Sequence, residues 1–281
     1  MKQQWTLRRR LYNGGMRGLV WLCAGLTCAL LIFLIGYIFY RGVPGLSWQL
    51  ISGQTSYIRN TVGILPNLLN TLYIILVAMA VVLPLGVGAA IYLTEYAASG
   101  RLVRIIEFAA ETLTGIPSII FGLVGMMLFV QKLGLQAGIL AGGLTLVMMI
   151  LPTIIEISES SIRAVPDSYY EGSLALGATH ERSVYCATLP AAKSGIMAGI
   201  ILGIGRAIGE TMAVVMIAGN QTVLPKSLLS GVRTMTANIV MEMGYATDLH
   251  RGALIGTGVV LFIFILLINV CFSLVKKKET K

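Results

Sequence analysis

Glu171-Gly172-Ser173-Leu174-Ala175-Leu176-Gly177, followed after eleven intervening residues by Leu189-Pro190, is a polar interruption between two long apolar runs. Pro166-Asp167 stops whatever precedes it, because proline cannot continue a helix. Ser168 stands three residues before Glu171, the spacing of a reciprocal N-terminal cap. Gly177 is placed to end that helix in a left-handed turn. Thr179 is placed to cap a second helix, which the Leu189-Pro190 step closes. Segment 157–195 therefore reads as a short helix, a glycine turn and another short helix, lying along a surface. On the first helix Tyr170 and Leu174 share a face, being four apart, and such a face calls for a hydrophobic groove on another molecule.

The surface is a membrane. Of 281 residues, 56% are hydrophobic and 12% charged, with a mean hydropathy of +0.84; soluble domains carry about 25% charge. A bilayer core needs about 20 apolar residues per helix, and six segments supply them: 19–40, 68–93, 105–130, 138–156, 196–218 and 253–275. Runs of this length cross as helices, so the fold class is an all-α polytopic membrane protein with six spans. An even number of spans puts both termini on one side. Of the 21 Lys and Arg, 14 fall in the N-terminal, C-terminal and intervening segments of one side, six on the other, and Arg206 lies within a span. The positive-inside rule then places both termini in the cytoplasm. The same distribution accounts for the net charge of +9 without a nucleic-acid partner, since the basic residues flank spans and form no stripe. The chain divides into a basic cytoplasmic segment 1–18, a six-helix transmembrane domain 19–275 containing loop 157–195, and a basic tail 276–281. The run Leu19–Tyr40 is too long for a signal-peptide core and is expected to be retained.

Cys23, Cys28, Cys186 and Cys271 show neither paired nor zinc-ligand spacing, so no disulfide framework, metal or cofactor is expected. Pro84, Pro117 and Pro152 interrupt spans and are expected to act as ordinary kinks. Segments 41–67 and 219–252 are the long outer loops, and the second, with Leu228, Leu229, Met235, Ile239 and Val240, is expected to hold a short helix lying on or dipping into the outer interface.

Two charges inside the fifth span, Arg206 and Glu210, point to function, because a charge at the bilayer centre costs about 2.5–3.5 kcal/mol even on insertion scales. Four apart, they are expected to pair. Either the pair fixes helix packing or it forms, with the adjacent Thr211, a polar lining where arginine meets an anion. Glycines 195, 199, 203, 205 and 209 let another helix approach closely. Glu107 and Glu111 are expected at the interface or paired within the bundle, and His180 and His250 read as isolated surface residues.

The pattern of Glu171, Gly177, Leu189 and Pro190 resembles the permease loop of binding-protein-dependent ABC importers. Gly172 and Ser173 stand where alanines are usual, and Ala187 where isoleucine is usual. The resemblance implies the type I permease fold, with this loop docking into a cleft on an ATP-binding cassette subunit. Gly205-Arg-Ala-Ile-Gly-Glu-Thr211, Gly115-Ile-Pro-Ser118 and Ala89-Ala-Ile-Tyr-Leu-Thr-Glu-Tyr96 look like the permeases of the high-affinity phosphate importer. That importer pairs an A-type with a C-type permease. The Tyr-Leu-Thr-Glu-Tyr segment and the chain length favour the A type, whereas Met212-Ala-Val-Val reads more like the C type. The resemblance implies that Arg206 and Glu210 serve phosphate passage, and that a companion permease and a phosphate-binding protein are partners. It does not support a second pathway cation at Glu156, where A-type members often carry arginine. The chain contains no Gly-Lys dipeptide and hence no phosphate-cradling loop with its lysine, so ATP hydrolysis falls to a separate subunit. A permease for molybdate or sulfate, and a secondary anion transporter, remain the alternatives. The docking loop argues against the last, as does the lack of an inverted repeat.

Overall fold

The computed structural model describes residues 7–56, 61–97 and 100–279. Among these, five helices are long and apolar enough to cross a membrane: Tyr12–Gly45, Leu65–Tyr96, Ile139–Arg163, His180–Gly209 and His250–Cys271. The sixth crossing is not one helix. Helix α4 (Arg101–Thr114) and helix α5 (Ser118–Gly125, continued in π-helical form to Lys132) meet at a bend of 107°. Pro117 was expected to kink a continuous span and instead breaks it. Pro117 itself is extended (ψ 136°) and has no N–H to continue the ladder, so no helix passes. Pro84 and Pro152 behave as expected, each inside an unbroken helix, α3 (Leu65–Ile91) and α6 (Ile139–Arg163).

Helix α1 (Leu7–Gly42) stands largely apart and is exposed over most of its length. It meets helix α12 (Asp248–Glu279) near its outer end, where Phe39 and Phe262 pack edge to face at 5.5 Å. Around α6 the bundle is dense. The core joins Ile74, Val82, Leu146, Ile150, Ile154 and Ile208 from α3, α6 and α9 (Leu189–Gly209). In lipid there is no hydrophobic force between helices, so association depends on close packing through small residues. Gly142 and Gly143 seat against Ile74 and Val77 of α3; a Cβ on them would stand 2.7 and 2.9 Å from those side chains. Helix α5 is held the same way: a Cβ on Gly122 would lie 2.9 Å from Ala213 Cα in helix α10 (Met212–Ile217). The two broken spans thus pack on each other.

The outer end carries helix α2 (Trp48–Ser52), strands β1 (Gln54–Ser56) and β2 (Thr61–Ile64) in an antiparallel hairpin, and helix α11 (Met235–Met243). The short helix expected in the second outer loop is α11, but it is packed into the protein, with Met235 and Ala237 fully buried. Polar groups at the top of α3 hold this loop. The Asn70 amide donates to the Val223 carbonyl at 3.2 Å, and the Met235 N–H donates to Thr71 Oγ1 at 3.0 Å. Arg233 closes the loop by pairing with Glu242 at 2.7 Å and donating to Asn238.

Candidate functional site

The hairpin at 166–190 forms much as its residues suggest, with three corrections. Helix α7 (Asp167–Ala175) starts two residues early, with Pro166 rather than Ser168 at the cap position and no side-chain cap. Ser168 is already helical, so the Ser168–Glu171 reciprocal cap does not form; Asp167 in the first turn supplies the favourable negative charge. At the other end Gly177 takes φ +84°, its N–H donates to the Leu174 carbonyl at 2.8 Å, and the Ala178 N–H donates to the Ser173 carbonyl at 3.2 Å. This is a full Schellman closure. Thr179 then caps helix α8 (His180–Ser183) by accepting from the Arg182 N–H.

The second correction concerns Leu189 and Pro190. They do not end the second helix. From His180 the chain runs helically to Gly209, passing through a π-helical stretch at Val184–Thr188. There the Leu189 N–H bonds to the Val184 carbonyl, five residues back. The widened turn accommodates a proline that lacks an N–H, so the hairpin continues into the fifth span without a joint.

The third correction concerns the docking face. Tyr170 is turned inward, its hydroxyl 2.7 Å from Nδ1 of His180. Leu174 is exposed, and the outward apolar surface is completed by Tyr169 and by Leu176, which is 91% exposed. Glu171 is exposed, and its side chain makes no hydrogen bond or ion pair among the described residues. His180 is no isolated surface residue. Its ring lies between Tyr170 and Tyr96, edge to face with Tyr96 at 4.9 Å.

In the fifth span, α9 ends at Gly209, Glu210 is extended (ψ 129°), and α10 begins at Met212. Pairing of Arg206 with Glu210 requires a continuous helix, and the break removes it; no ion pair joins them. Glu210 Oε1 accepts from the Ala213 N–H at 3.1 Å and so caps α10, while its carbonyl accepts from Thr236 Oγ1 at 2.9 Å. Thr211 donates its hydroxyl to the Gly209 carbonyl at 3.2 Å. Arg206 Nη1 donates instead to Thr153 Oγ1 on α6, at 3.1 Å. Among the described residues the guanidinium therefore has a neutral partner and no carboxylate. The hydroxyl of Thr153, beside Pro152 in an apolar span, was the overlooked signal.

The glycines of α9 divide into two faces. A Cβ on Gly195, Gly199 or Gly203 would collide with Ser161, Ile157 or Ile150 of α6, whereas Gly205 and Gly209 have no atom within 4 Å. One set packs within the chain; the other borders open space beside Arg206.

Between α4 and α6, at the end marked cytoplasmic by the basic residues, lies a cavity of about 580 Å³ lined by Glu107, Glu111, Glu156, Glu159 and Arg163. Arg163 bridges Glu107 (2.8 Å) and Glu159, so Glu107 is paired within the bundle. Glu111 and Glu156 have no such partner among the described residues. With four carboxylates against one guanidinium, this cavity repels anions. No group of His, Cys, Asp and Glu suited to a metal occurs among the described residues.

Residues 82–278 match the family model of the binding-protein-dependent transport system inner membrane component. A probable ABC transporter permease, YqgI of Bacillus subtilis, is 35% identical over 77% of this chain and 74% of its own length. The phosphate transport system permease PstC of Xylella fastidiosa (strain 9a5c) is 34% identical over 75% of this chain and 73% of its own. PstA 1 of Mycobacterium tuberculosis (strain CDC 1551 / Oshkosh) is 32% identical over 76% and 71%. Among solved structures, a bacterial ABC transporter involved in alginate import superposes with a TM-score of 0.66 at 13% identity, covering 97% of this chain and all of that one.

Proposed function

Because the chain belongs to the family of inner-membrane components of binding-protein-dependent transport systems, we propose that it is a permease subunit of an ATP-driven importer and passes inorganic phosphate across the cytoplasmic membrane. Family membership implies an ATP-binding cassette subunit and an external binding protein as partners. The finer assignment to phosphate is supported by relatives of both the C and A types, at 34% and 32% identity, over three quarters of the chain. That near equality leaves the two types equally supported.

The observation that carries the reading is Arg206. A guanidinium in a membrane span whose described partner is one threonine hydroxyl has an uncompensated positive charge. In low dielectric that charge is stabilised by an anion. Phosphate supplies the charge and several acceptor oxygens for a fork of N–H donors. The open side of α9 at Gly205 and Gly209, with the exposed Leu202, gives room for a companion permease to close the pathway from the opposite side. The hairpin 167–190 is the docking element for the ATPase, through Tyr169, Leu174 and Leu176, with Gly177 shaping the turn. Both termini lie in the cytoplasm, as the basic residues require.

The test is uptake of radiolabelled phosphate by cells carrying the whole transporter, with the yield of detergent-extracted complex measured in the same strains. Arg206→Gln is expected to abolish uptake and leave the complex intact. Retained uptake overturns the pathway role. Wild-type uptake that excess molybdate or sulfate suppresses more strongly than unlabelled phosphate does would reassign the substrate to that oxyanion.

A further inference from the structure

We propose that His180 is a positioning residue that fastens the ATPase-docking hairpin to the inner end of the second span. The proposal rests on reading 167–190 as the docking element. Three elements converge on this one ring. Tyr170 comes from α7, the helix that carries the docking face. His180 opens α8, which is continuous with the fifth span. Tyr96 ends the π-helical extension of α3. The imidazole shares a hydrogen bond of 2.7 Å with the Tyr170 hydroxyl and packs at 78° against the Tyr96 ring, centroids 4.9 Å apart.

Chain connectivity explains why such a fastening matters. A force applied to α7 reaches α6 through the short link 164–166, and reaches α9 through the Gly177 turn and the unbroken helix from His180. Neither covalent route includes α3, which lies more than sixty residues earlier in sequence and meets α6 and α9 by packing within the spans. Among the described residues, the His180 ring makes the only hydrogen bond or aromatic contact between residues 92–97 and the hairpin. Loss of the ring would leave α3 to follow the docking helix through apolar packing alone.

The hairpin has its own locks, so removing the ring does not dissolve it. Ser183 Oγ, fully buried, donates to Ser173 Oγ at 3.0 Å, and the Schellman closure and the Thr179 cap do not involve the imidazole. His180 therefore separates two properties, holding the ATPase and spending its hydrolysis on transport.

The experiment uses the complete transporter in proteoliposomes, with ATPase content, ATP hydrolysis stimulated by the binding protein, and phosphate delivered per ATP measured together. His180→Ala is expected to keep the ATPase bound and hydrolysing while phosphate per ATP falls at least about fivefold, the lower end of coupling between sites. Tyr96→Ala, which lies outside the hairpin, is expected to do the same. Tyr96→Phe, which keeps the ring edge and loses only the hydroxyl, is expected to restore the wild-type ratio. Tyr170→Phe and His180→Phe each remove the shared hydrogen bond, and together they are expected to lose no more than either alone. An unchanged ratio in Tyr96→Ala overturns the proposal, including the case where His180→Ala simply sheds the ATPase. If Gly177→Val leaves ATPase content and hydrolysis unaltered, it is the docking reading itself that fails.

Discussion

Arg206 and Glu210 sit at the spacing of an intrahelical ion pair, yet each is engaged elsewhere, and a pair of double-mutant cycles separates the two arrangements. The perturbations are Arg206→Gln with Glu210→Gln, and Arg206→Gln with Thr153→Val. Glu210 accepts one N–H, from Ala213, at 3.1 Å. A glutamine keeps an acceptor oxygen at that place, so Glu210→Gln is expected to cost only the charge-assisted part of the bond, below about 1 kcal/mol. Glu210→Ala removes the cap and is expected to cost about 0.5–2 kcal/mol. Because no contact joins Arg206 to Glu210, their coupling is expected to fall within about 0.5 kcal/mol of zero. Arg206 and Thr153 do touch, at 3.1 Å. Their coupling is expected at about 0.6 kcal/mol and no more than about 1.7 kcal/mol, the mean and maximum for hydrogen bonds between membrane helices. The assay is reversible unfolding of the purified subunit in mixed micelles. A coupling above about 1 kcal/mol between Arg206 and Glu210, with none between Arg206 and Thr153, would refute the broken-helix arrangement and restore the continuous one.

The glycines of α9 are expected to divide by face. Gly199→Leu, whose first side-chain carbon already stands 2.9 Å from Ile157, should destabilise the subunit by about 1–3 kcal/mol in the same unfolding assay. Gly205→Ala should leave the isolated subunit unchanged or more stable by up to about 1 kcal/mol, since a helical glycine is replaced where nothing is struck. Gly177→Val places a β-branched residue at φ +84° and should cost about 1–2 kcal/mol locally; recovery of ATPase with the affinity-purified permease should fall while membrane insertion is unchanged. Thr179→Ala removes the cap of α8 and should cost about 1 kcal/mol without displacing the span that follows, read as a small fall in melting temperature.

How far the fold was legible follows from the physics of each feature. Span length and apolarity are summed over some twenty residues, so the crossing segments stood out even though their ends moved: α9 begins at Leu189 rather than 196, within a helix that starts at His180. The Schellman turn was legible because one residue, Gly177, carries both the conformation and the stop signal. The breaks were harder. Pro84, Pro117 and Pro152 look alike in sequence, but only Pro117 has no helix passing through it. What differs is tertiary: α5 is held against α10 by the close approach at Gly122, which a single sequence does not display. The Arg206–Glu210 pairing failed for the same reason. Spacing defines neighbours only while the helix continues, and past Gly209 it does not: Glu210 is extended and its carbonyl accepts from Thr236, twenty-six residues onward. The contacts of Thr153 with Arg206 and of Tyr96 and Tyr170 with His180 were invisible because the partners lie on different helices.

These features share one mechanical element. The helix from His180 to Gly209 has 30 residues, a rod of about 45 Å at 1.5 Å per residue. Its inner end is the second half of the hairpin proposed to dock the ATPase, its middle packs on α6 through three glycines, and Arg206 lies three residues before its outer end. A rod without a joint does not absorb displacement; the π-helical stretch at Val184–Thr188 lets it carry Pro190 without a break. Beyond Gly209 rigidity ends, and Glu210 stays behind as the cap of α10, tied to α11 through Thr236. A shift of the hairpin is therefore transmitted to Arg206 but not through the helix to Glu210. On the proposed docking of the hairpin, the guanidinium is expected to move relative to the outer elements, and an anion held by it with it. An intrahelical pair would have carried its own counterion along and left nothing for the substrate to neutralise. The break that defeats the expected ion pair is what leaves the arginine available to an anion.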